Sequence, residues 1–179
     1  EREDKKEILR QMEQADHILT RDNRNAHITV SAWIMDRDRK KVLMAYHNLY
    51  QSWAWLGGHA DGDADLKAVA LKEIREESGL ESVRFVTEDI FSLEILTVDG
   101  HEKRGSYVPS HLHLNVTYLL EADPELPLRI KEDENSEIGW IGVEEIQRRS
   151  TEKWFVERIY SKLCKKAQSL RNGKLAILE

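Results

Sequence analysis

Apolar and polar residues alternate with two different periods along the chain. Between residues 2 and 21, Ile8, Met12, Ala15 and Leu19 recur at helical spacing in a charged background, which predicts an amphipathic helix. Two β-rich runs follow at 27–35 and 41–46, and the polar turn between them predicts a hairpin. A second helix is predicted over 65–78. Gly79 would end it, because glycine is the usual residue where the backbone turns left-handed after the last turn of an α-helix.

The rest of the chain continues this mixture of strands and helices. The predicted elements are strands at 90–98 and 111–122 with a polar loop at 99–110 between them, a short strand near 138–143, and helices at 144–149 and 152–170. Together they indicate an α+β fold with its strands concentrated between residues 27 and 143. We divide the chain into an N-terminal helix (1–24), one domain that includes the C-terminal helices (25–172) and a tail (173–179).

Composition narrows the class of protein. The 179 residues carry 33 acidic and 27 basic side chains, a net charge of −6, which excludes a broad basic surface for duplex nucleic acid. The single cysteine, Cys164, excludes an intrachain disulfide framework and a cysteine zinc ribbon. No stretch reaches the roughly 20 apolar residues of a membrane span. The polar first residues lack the apolar core of a signal peptide, so we expect a cytoplasmic protein.

Three glutamates stand out in the helix predicted at 65–78. When that helix is projected at about 100° per residue, Glu73, Glu76 and Glu77 fall on the side of its apolar stripe. Like charges at these spacings, close to the negative end of the helix dipole, are unfavourable without a cation. Two interpretations stay open on this geometry: a site for a hard divalent cation, or a surface helix whose glutamates pair with Lys72 and Arg75.

The segment around these glutamates resembles the Nudix box of the MutT-like hydrolases. Gly58 matches the first glycine of that motif, and residues 73–80, EIREESGL, match its whole final part. The preceding WAWLGG resembles the W-x-x-P-G-G of the family, and a later tryptophan, Trp140, agrees as well. Ala64 stands where the motif has its first glutamate, and Lys72 stands where it has an arginine.

The resemblance implies a Nudix fold, an α/β/α sandwich around a mixed β-sheet, here with an extra N-terminal helix. It implies hydrolysis of the pyrophosphate bond in a nucleoside diphosphate linked to another moiety, or in a similar organic pyrophosphate, with Mg²⁺ or Mn²⁺. Glu73, Glu76 and Glu77 would hold the metal with the carbonyl of Gly57 or Gly58, and Glu73 would also orient or deprotonate the attacking water. A further glutamate, Glu134 or Glu137, is a candidate for the same site.

The departures from the motif affect two expected roles. Lys72 would steady Glu73 in place of the arginine of the family, although as a point charge. The missing carboxylate at Ala64 predicts weaker metal binding or altered geometry without loss of activity. Both departures also favour an alternative, a non-catalytic Nudix domain that binds a nucleotide as a sensor. An isomerase on the same fold is a further alternative, against which the lack of a cysteine near the motif counts.

Candidate substrate-binding residues lie outside the motif. His111 and His113 share one face of a predicted strand, where they either line a phosphate-binding cleft or join His101 in a zinc site. Lys103 and Arg104 lie in a flexible loop that either closes over substrate or is simply solvated. Trp55 is a candidate for stacking on a base.

The expected partner is a small phosphorylated molecule, with neither a membrane nor duplex nucleic acid. The N-terminal helix has two interpretations, an element of a homodimer or a cap on the domain. The sequence does not name the base, sugar or linked group of the substrate, because variable loops make those contacts.

Overall fold

A mixed β-sheet forms the centre of the protein in the computed structural model, which describes residues 1–103 and 105–171. The strands are β1 (Ala26–Met35), β2 (Lys41–His47), β3 (Ser52–Ala54), β4 (Leu56–His59), β5 (Arg84–Phe85), β6 (Ser92–Val98), β7 (His101–Lys103), β8 (Ser106–Val108), β9 (His111–Glu121) and β10 (Asn135–Gly142). The helices are α1 (Arg2–Gln14), α2 (Leu66–Ser78), α3 (Ile146–Arg149), α4 (Lys153–Phe155) and α5 (Ser161–Arg171), and one π-helical turn, Val156–Tyr160, joins α4 to α5.

Strand β1 is the centre of the sheet. The order is β10-β2-β1-β9-β5, and β3, β4 and β6 extend it by pairing with β2, β1 and β9 respectively. β1 and β9 run parallel over ten residue pairs, whereas β1 is antiparallel to both β2 and β4. The sheet is therefore mixed, and the hairpin predicted from residues 27–46 is confirmed.

Helices cover both faces of this sheet. Alternate residues of β1 point to opposite faces, so Val30, Ala32 and Ile34 pack towards α2. Trp33 and Met35 belong to the core on the other face, which contains Tyr160 and the helices at the C-terminal end of the described chain. This arrangement is the predicted α/β/α sandwich, and the predicted α+β class is confirmed.

The N-terminal helix is shorter than predicted. The pattern predicted a helix over 2–21, but α1 ends at Gln14, because Ala15 is extended and His17 has a left-handed backbone with φ of 57°. The chain then folds back, and the N–H of Ile28 donates to the Ile18 carbonyl at 2.8 Å. α1 itself packs against β6. Ile18 and Leu19 therefore join the core through this turn, together with Ile8.

Two further segments differ from their predicted form. The segment 99–110, predicted as a loop, contains a small two-stranded sheet of β7 and β8. The helix predicted over 152–170 is divided by the π-helical turn, which buries Val156, Ile159 and Tyr160. The predicted tail, 173–179, lies outside the described residues. Among the helices that the structure describes, each is too short or too polar to cross a membrane.

Candidate active site

A cleft of about 1250 Å³ opens along the edge of the sheet beside α2. Glycines and a histidine of β4 and glutamates of α2 line one part of it, and polar residues of β1 and β9 line another. The cleft therefore brings together the motif helix and the histidine-bearing strand, which are separated by more than 30 residues in the chain. Its size is sufficient for a ligand as large as a nucleotide.

The sequence of α2 explains why its glutamates face the interior. The Asp65 side chain caps the helix by accepting from the N–H of Ala68 at 3.1 Å, and Gly79 ends it in a left-handed conformation with φ of 72°. Between these ends, Val69, Ala70 and Ile74 pack on the sheet. This register is fixed by burial of the apolar stripe, and it carries the glutamates that follow the stripe.

Glu73 and Glu77 are buried where α2 passes β4. Their exposed fractions are 9% and 6%. The N–H of Gly57 donates to Glu77 Oε2 at 3.2 Å. A Cβ atom on Gly58 would lie 2.4 Å from the Glu73 carboxyl carbon, so only glycine leaves room for that carboxyl group. The two glycines thus form a close-fitting backbone cradle for two carboxyl groups.

Burial makes ionisation of both carboxyl groups unfavourable. It is the largest cause that raises the pKa of Glu77 to about 8, and the neighbouring Glu73 adds to the effect. Burial, followed by the charge of Glu76, also raises the pKa of Glu73. Desolvated carboxylates with too little positive charge around them are the donor set that a hard divalent cation satisfies. The residues therefore fit Mg²⁺ or Mn²⁺.

The third glutamate has a different environment. The projection onto a helix is correct for Glu73 and Glu77 but wrong for Glu76, whose side chain is 42% exposed. Lys72 Nζ and Lys131 Nζ each lie 3.8 Å from a carboxylate oxygen of Glu76, so Lys72 pairs with Glu76 instead of Glu73. The reason is position on the helix, because Glu76 stands one turn after Lys72 on the edge of the buried stripe.

Of the two later glutamates, the structure brings only one to the cleft. Glu134 lines the cleft and pairs with Lys131 at 3.2 Å. Glu137 lies on β10 opposite Tyr46, is exposed, and does not line the cleft. Lys131 was not predicted from the sequence, since nothing local distinguishes it from other surface lysines.

The histidines of β9 meet two others that the sequence reasoning missed. His111 and His113 lie on one face as predicted, and their Nε2 atoms are 3.2 Å apart. His27 of β1 and His59 of β4 join them, and one ligand nitrogen each from His27, His59 and His113 lie within 4.8 Å of one another. His101 is not in this group; its Nδ1 contacts the Asp99 carbonyl. Among the described residues this is the one group of three or more metal-ligating side chains that converges.

A buried polar network continues the same face of the sheet. Asn115 Oδ1 accepts from Thr29 Oγ1 at 3.0 Å and from Ser31 Oγ at 2.9 Å, while Asn115 Nδ2 donates to Glu94 Oε2 at 3.1 Å. Lys162 Nζ donates to the other oxygen of Glu94 at 2.8 Å. Because every partner is satisfied, this network gives the cleft a rigid polar floor.

Aromatic residues form the opposite end of the cleft. Trp55 lines it, with its ring edge-on to Phe155 and Tyr160. Trp33 is fully buried and stacks on Tyr160, as expected of a core residue. Cys164 lies on α5 away from the cleft, and burial raises the pKa of its thiol to about 11. An inert thiol in this position counts against the isomerase alternative.

Lys103 and Arg104 are the two loop residues proposed for substrate binding. Arg104 lies outside the described residues, and so does the side chain of Lys103. The neighbouring His101, Glu102 and Tyr107 line the cleft, so the β7–β8 hairpin borders it.

Comparison with known protein families identifies the family of this chain. A family model for the NUDIX domain matches residues 25–163. The chain belongs to the NUDIX domain family. The extra helix α1 precedes the matched region.

Solved structures share the fold of this NUDIX domain. A Caenorhabditis elegans Ap4A hydrolase in a binary complex is 17% identical, with a TM-score of 0.58 over 82% of this chain and 98% of that chain. The MutT protein of Methanosarcina mazei Go1 is 16% identical, with a TM-score of 0.59 over the same shares of the two chains. A NUDIX family hydrolase of Clostridium perfringens is 19% identical, with a TM-score of 0.54 over 82% and 99%. A search of curated proteins gives no significant match.

Proposed function

We propose that this Nudix hydrolase cleaves the pyrophosphate bond of a nucleoside diphosphate linked to another moiety, or of a similar organic pyrophosphate, with Mg²⁺ or Mn²⁺. The observation that carries the proposal is the buried pair Glu73 and Glu77 beside Gly57 and Gly58. Two desolvated carboxyl groups in contact with a backbone cradle weaken the fold unless a cation binds there. Membership of the family supports the same chemistry.

Each residue of the proposed metal site has a separate role. Glu73 and Glu77 would hold the cation from the buried side together with the Gly58 carbonyl, and Glu76 would complete the set from the exposed edge. Lys72 and Lys131 pair with Glu76 at that edge, each with its Nζ 3.8 Å from a carboxylate oxygen. When bound, the cation supplies Lewis-acid chemistry, because it offsets charge on phosphate oxygens and acidifies water.

The reaction itself would use residues that already face the cleft. Glu73 accepts a hydrogen bond from the attacking water and orients it, and its raised pKa brings it closer to the range of a general base. His111, His113 and Asn115 line the cleft, and they would face the phosphate-bearing part of the substrate. Trp55 offers an aromatic wall for a base, since its ring has one side on the cleft.

A panel of substrates tests the proposal. The purified protein would be incubated with nucleoside triphosphates, nucleoside diphosphate sugars and Ap4A, the last because one structural neighbour is an Ap4A hydrolase. Products would be measured by ion-exchange chromatography with Mg²⁺, with Mn²⁺ and with a chelator. We expect turnover of at least one class with a metal and none with the chelator.

A matched pair of variants tests the assignment of Glu73. Glu73→Gln removes the carboxylate and is expected to lower kcat by about 100-fold or more with an unchanged circular dichroism spectrum. The control, Glu81→Gln, changes an exposed glutamate just beyond α2 and is expected to leave kcat unchanged. Tight nucleotide binding without turnover across the panel would favour the sensor alternative and end the hydrolase proposal.

A further inference from the structure

Four imidazole rings lie close together on one face of the sheet. They offer nitrogen ligands, whereas the glutamates of α2 offer oxygen ligands. In the pairing of β1 with β9, His27 lies beside His113, and in the pairing of β1 with β4, Thr29 lies beside His59. The ring centre of His27 is 5.1 Å from that of His59 and 5.2 Å from that of His113. His111 lies at the border of the group, 4.9 Å from His27 by the same measure. We call these four residues the histidine cluster.

Hydrogen bonds to the backbone determine the tautomer of His27. Its Nδ1 lies 3.0 Å from the Asn23 carbonyl, and since a carbonyl only accepts, Nδ1 carries the proton. Nε2 of the same ring therefore has a free lone pair. This atom is buried, the residue is only 4% exposed, and Nε2 has no hydrogen-bond partner within the described part of the chain. A buried acceptor in this state needs a proton donor or a cation.

The contact between His111 and His113 determines the tautomer of His113. His111 Nδ1 donates to the Pro109 carbonyl at 2.8 Å, so its Nε2 carries a lone pair. That lone pair lies 3.2 Å from Nε2 of His113. Nε2 of His113 therefore carries the proton and donates to His111, which leaves the lone pair of His113 on Nδ1. A second-shell hydrogen bond from one ring nitrogen, as in His27 to a carbonyl and in His113 to His111, is the arrangement of metal-binding histidines.

The rings are also in the charge state that coordination requires. Burial, followed by the neighbouring imidazoles, lowers the pKa of His113 to about 2, and burial lowers the pKa of His27. Both rings are thus neutral at physiological pH. The nearby cation Arg21 is already paired with Asp61 through two contacts of 2.7 and 2.8 Å. The surroundings of the cluster therefore carry little net charge.

We propose that His27, His59 and His113 bind a divalent transition-metal ion of the class that prefers imidazole, with Zn²⁺ as its representative. Imidazole nitrogens are preferred donors for Zn²⁺, whereas Mg²⁺ and Mn²⁺ prefer the oxygen ligands of the glutamates. Three protein ligands also leave one coordination position open to the cleft. The ligand nitrogens of the three rings now lie within 4.8 Å of one another. The side chains must rotate to bring these nitrogens about 3.3 Å apart, the spacing in a tetrahedral zinc site.

This site is separate from the proposed hard-cation site and does not depend on it. The ligands come from β1, β4 and β9, and none of them is a residue of α2. The two sites share one cleft, so an ion on the histidine cluster would offer its open position to a phosphate or to another oxygen of the bound substrate.

Metal titration of the full chain tests the inference without any substrate. Zn²⁺ would be titrated calorimetrically into chelator-treated protein in excess Mg²⁺, which occupies the glutamates. We expect about one equivalent of Zn²⁺ to bind, and His27→Asn or His113→Asn to weaken binding by about 100-fold or more. Two variants serve as controls that should bind as the wild type does: His101→Asn changes a cleft histidine outside the cluster, and Glu77→Gln changes the other site.

A second measurement needs no variant and so does not depend on folding of a mutant. The imidazole nitrogen chemical shifts of the wild-type protein would be recorded with and without Zn²⁺, and three of its seven histidines should shift as ligands do. Absence of Zn²⁺ binding, shifts in none of the rings, or binding that Glu77→Gln abolishes would each overturn the inference. None of these results bears on whether the protein hydrolyses pyrophosphates.

Discussion

Glu77 offers the sharpest test of the reasoning about the buried carboxyl groups, through the substitution Glu77→Gln. In the folded protein its pKa is raised to about 8 from an ordinary value of 4.5. The folded state therefore keeps a proton on Glu77 between those values while the unfolded chain has lost it. Because the unfolded state binds fewer protons in this range, the free energy of unfolding falls as pH rises from about 5 to 8.

The size of this fall follows from the two pKa values. Each unit of difference corresponds to about 1.4 kcal/mol, so Glu77 lowers the free energy of unfolding by about 3 kcal/mol between pH 5 and pH 8. Glutamine has nearly the shape of a protonated glutamate, and its side-chain oxygen still accepts from the N–H of Gly57. Without metal, Glu77→Gln should thus match the wild type at pH 5 and exceed it by about 3 kcal/mol at pH 8.

The assay is urea denaturation of the wild type and Glu77→Gln at both pH values, with a chelator and then with saturating Mg²⁺. Titrating groups distant from the site are common to both proteins, so the difference between them reports the ionisation of Glu77 together with its coupling to Glu73. Saturating Mg²⁺ should stabilise the wild type at pH 8 and stabilise the variant much less, because the cation binds the ionised carboxylate. The exposed Glu81→Gln serves as the control, and saturating Mg²⁺ should stabilise it as much as the wild type.

Two results would refute this reasoning. If the chelator-treated wild type and Glu77→Gln differ by the same amount at pH 5 and pH 8, burial does not raise the pKa of Glu77. If Mg²⁺ stabilises the variant as much as the wild type, Glu77 is not a metal ligand, whatever its pKa.

Three further substitutions test other parts of the structure. Gly58→Ala places a methyl group 2.4 to 2.8 Å from the Glu73 carboxyl atoms, so it should displace that carboxyl and lower kcat by about 100-fold in steady-state assays, with the melting temperature nearly unchanged. Ala64→Glu should change the calorimetric affinity for Mg²⁺ by less than about twofold, since Ala64 is exposed and does not line the cleft, although the motif alone predicts a gain. Lys162→Met leaves the buried Glu94 without its cation and should lower the free energy of unfolding by about 3 kcal/mol in urea, and adding Glu94→Gln should recover part of that loss.

Local patterns were sufficient for the motif helix and for the first hairpin. The spacing of Val69, Ala70 and Ile74 fixes which side of α2 is buried, and Gly79 fixes where the helix ends. Both properties depend on residues close together in the chain, so periodicity and helix-end preferences reveal them. The hairpin of β1 and β2 is local in the same sense.

Local patterns failed where the end of a helix, or the partner of a charged side chain, depends on a distant part of the chain. The apolar spacing continues past Gln14, but the chain turns there because Ile18 bonds to the backbone of β1. Glu76 was predicted on the side of Glu73, yet it lies at the exposed edge of α2, where Lys131 from a distant loop pairs with it. Neither partner is visible from the helix sequence alone.

The sequence by itself determined the family, the α+β class and the glutamates of α2, because each of these depends on the order of residues within one short segment. Only the tertiary structure decided what surrounds them. His27 and His113 are 86 residues apart and become neighbours solely because β1 and β9 pair in parallel in one register. Long-range pairing is set by packing of the whole core, and so the histidine cluster could not be found from spacing along the chain.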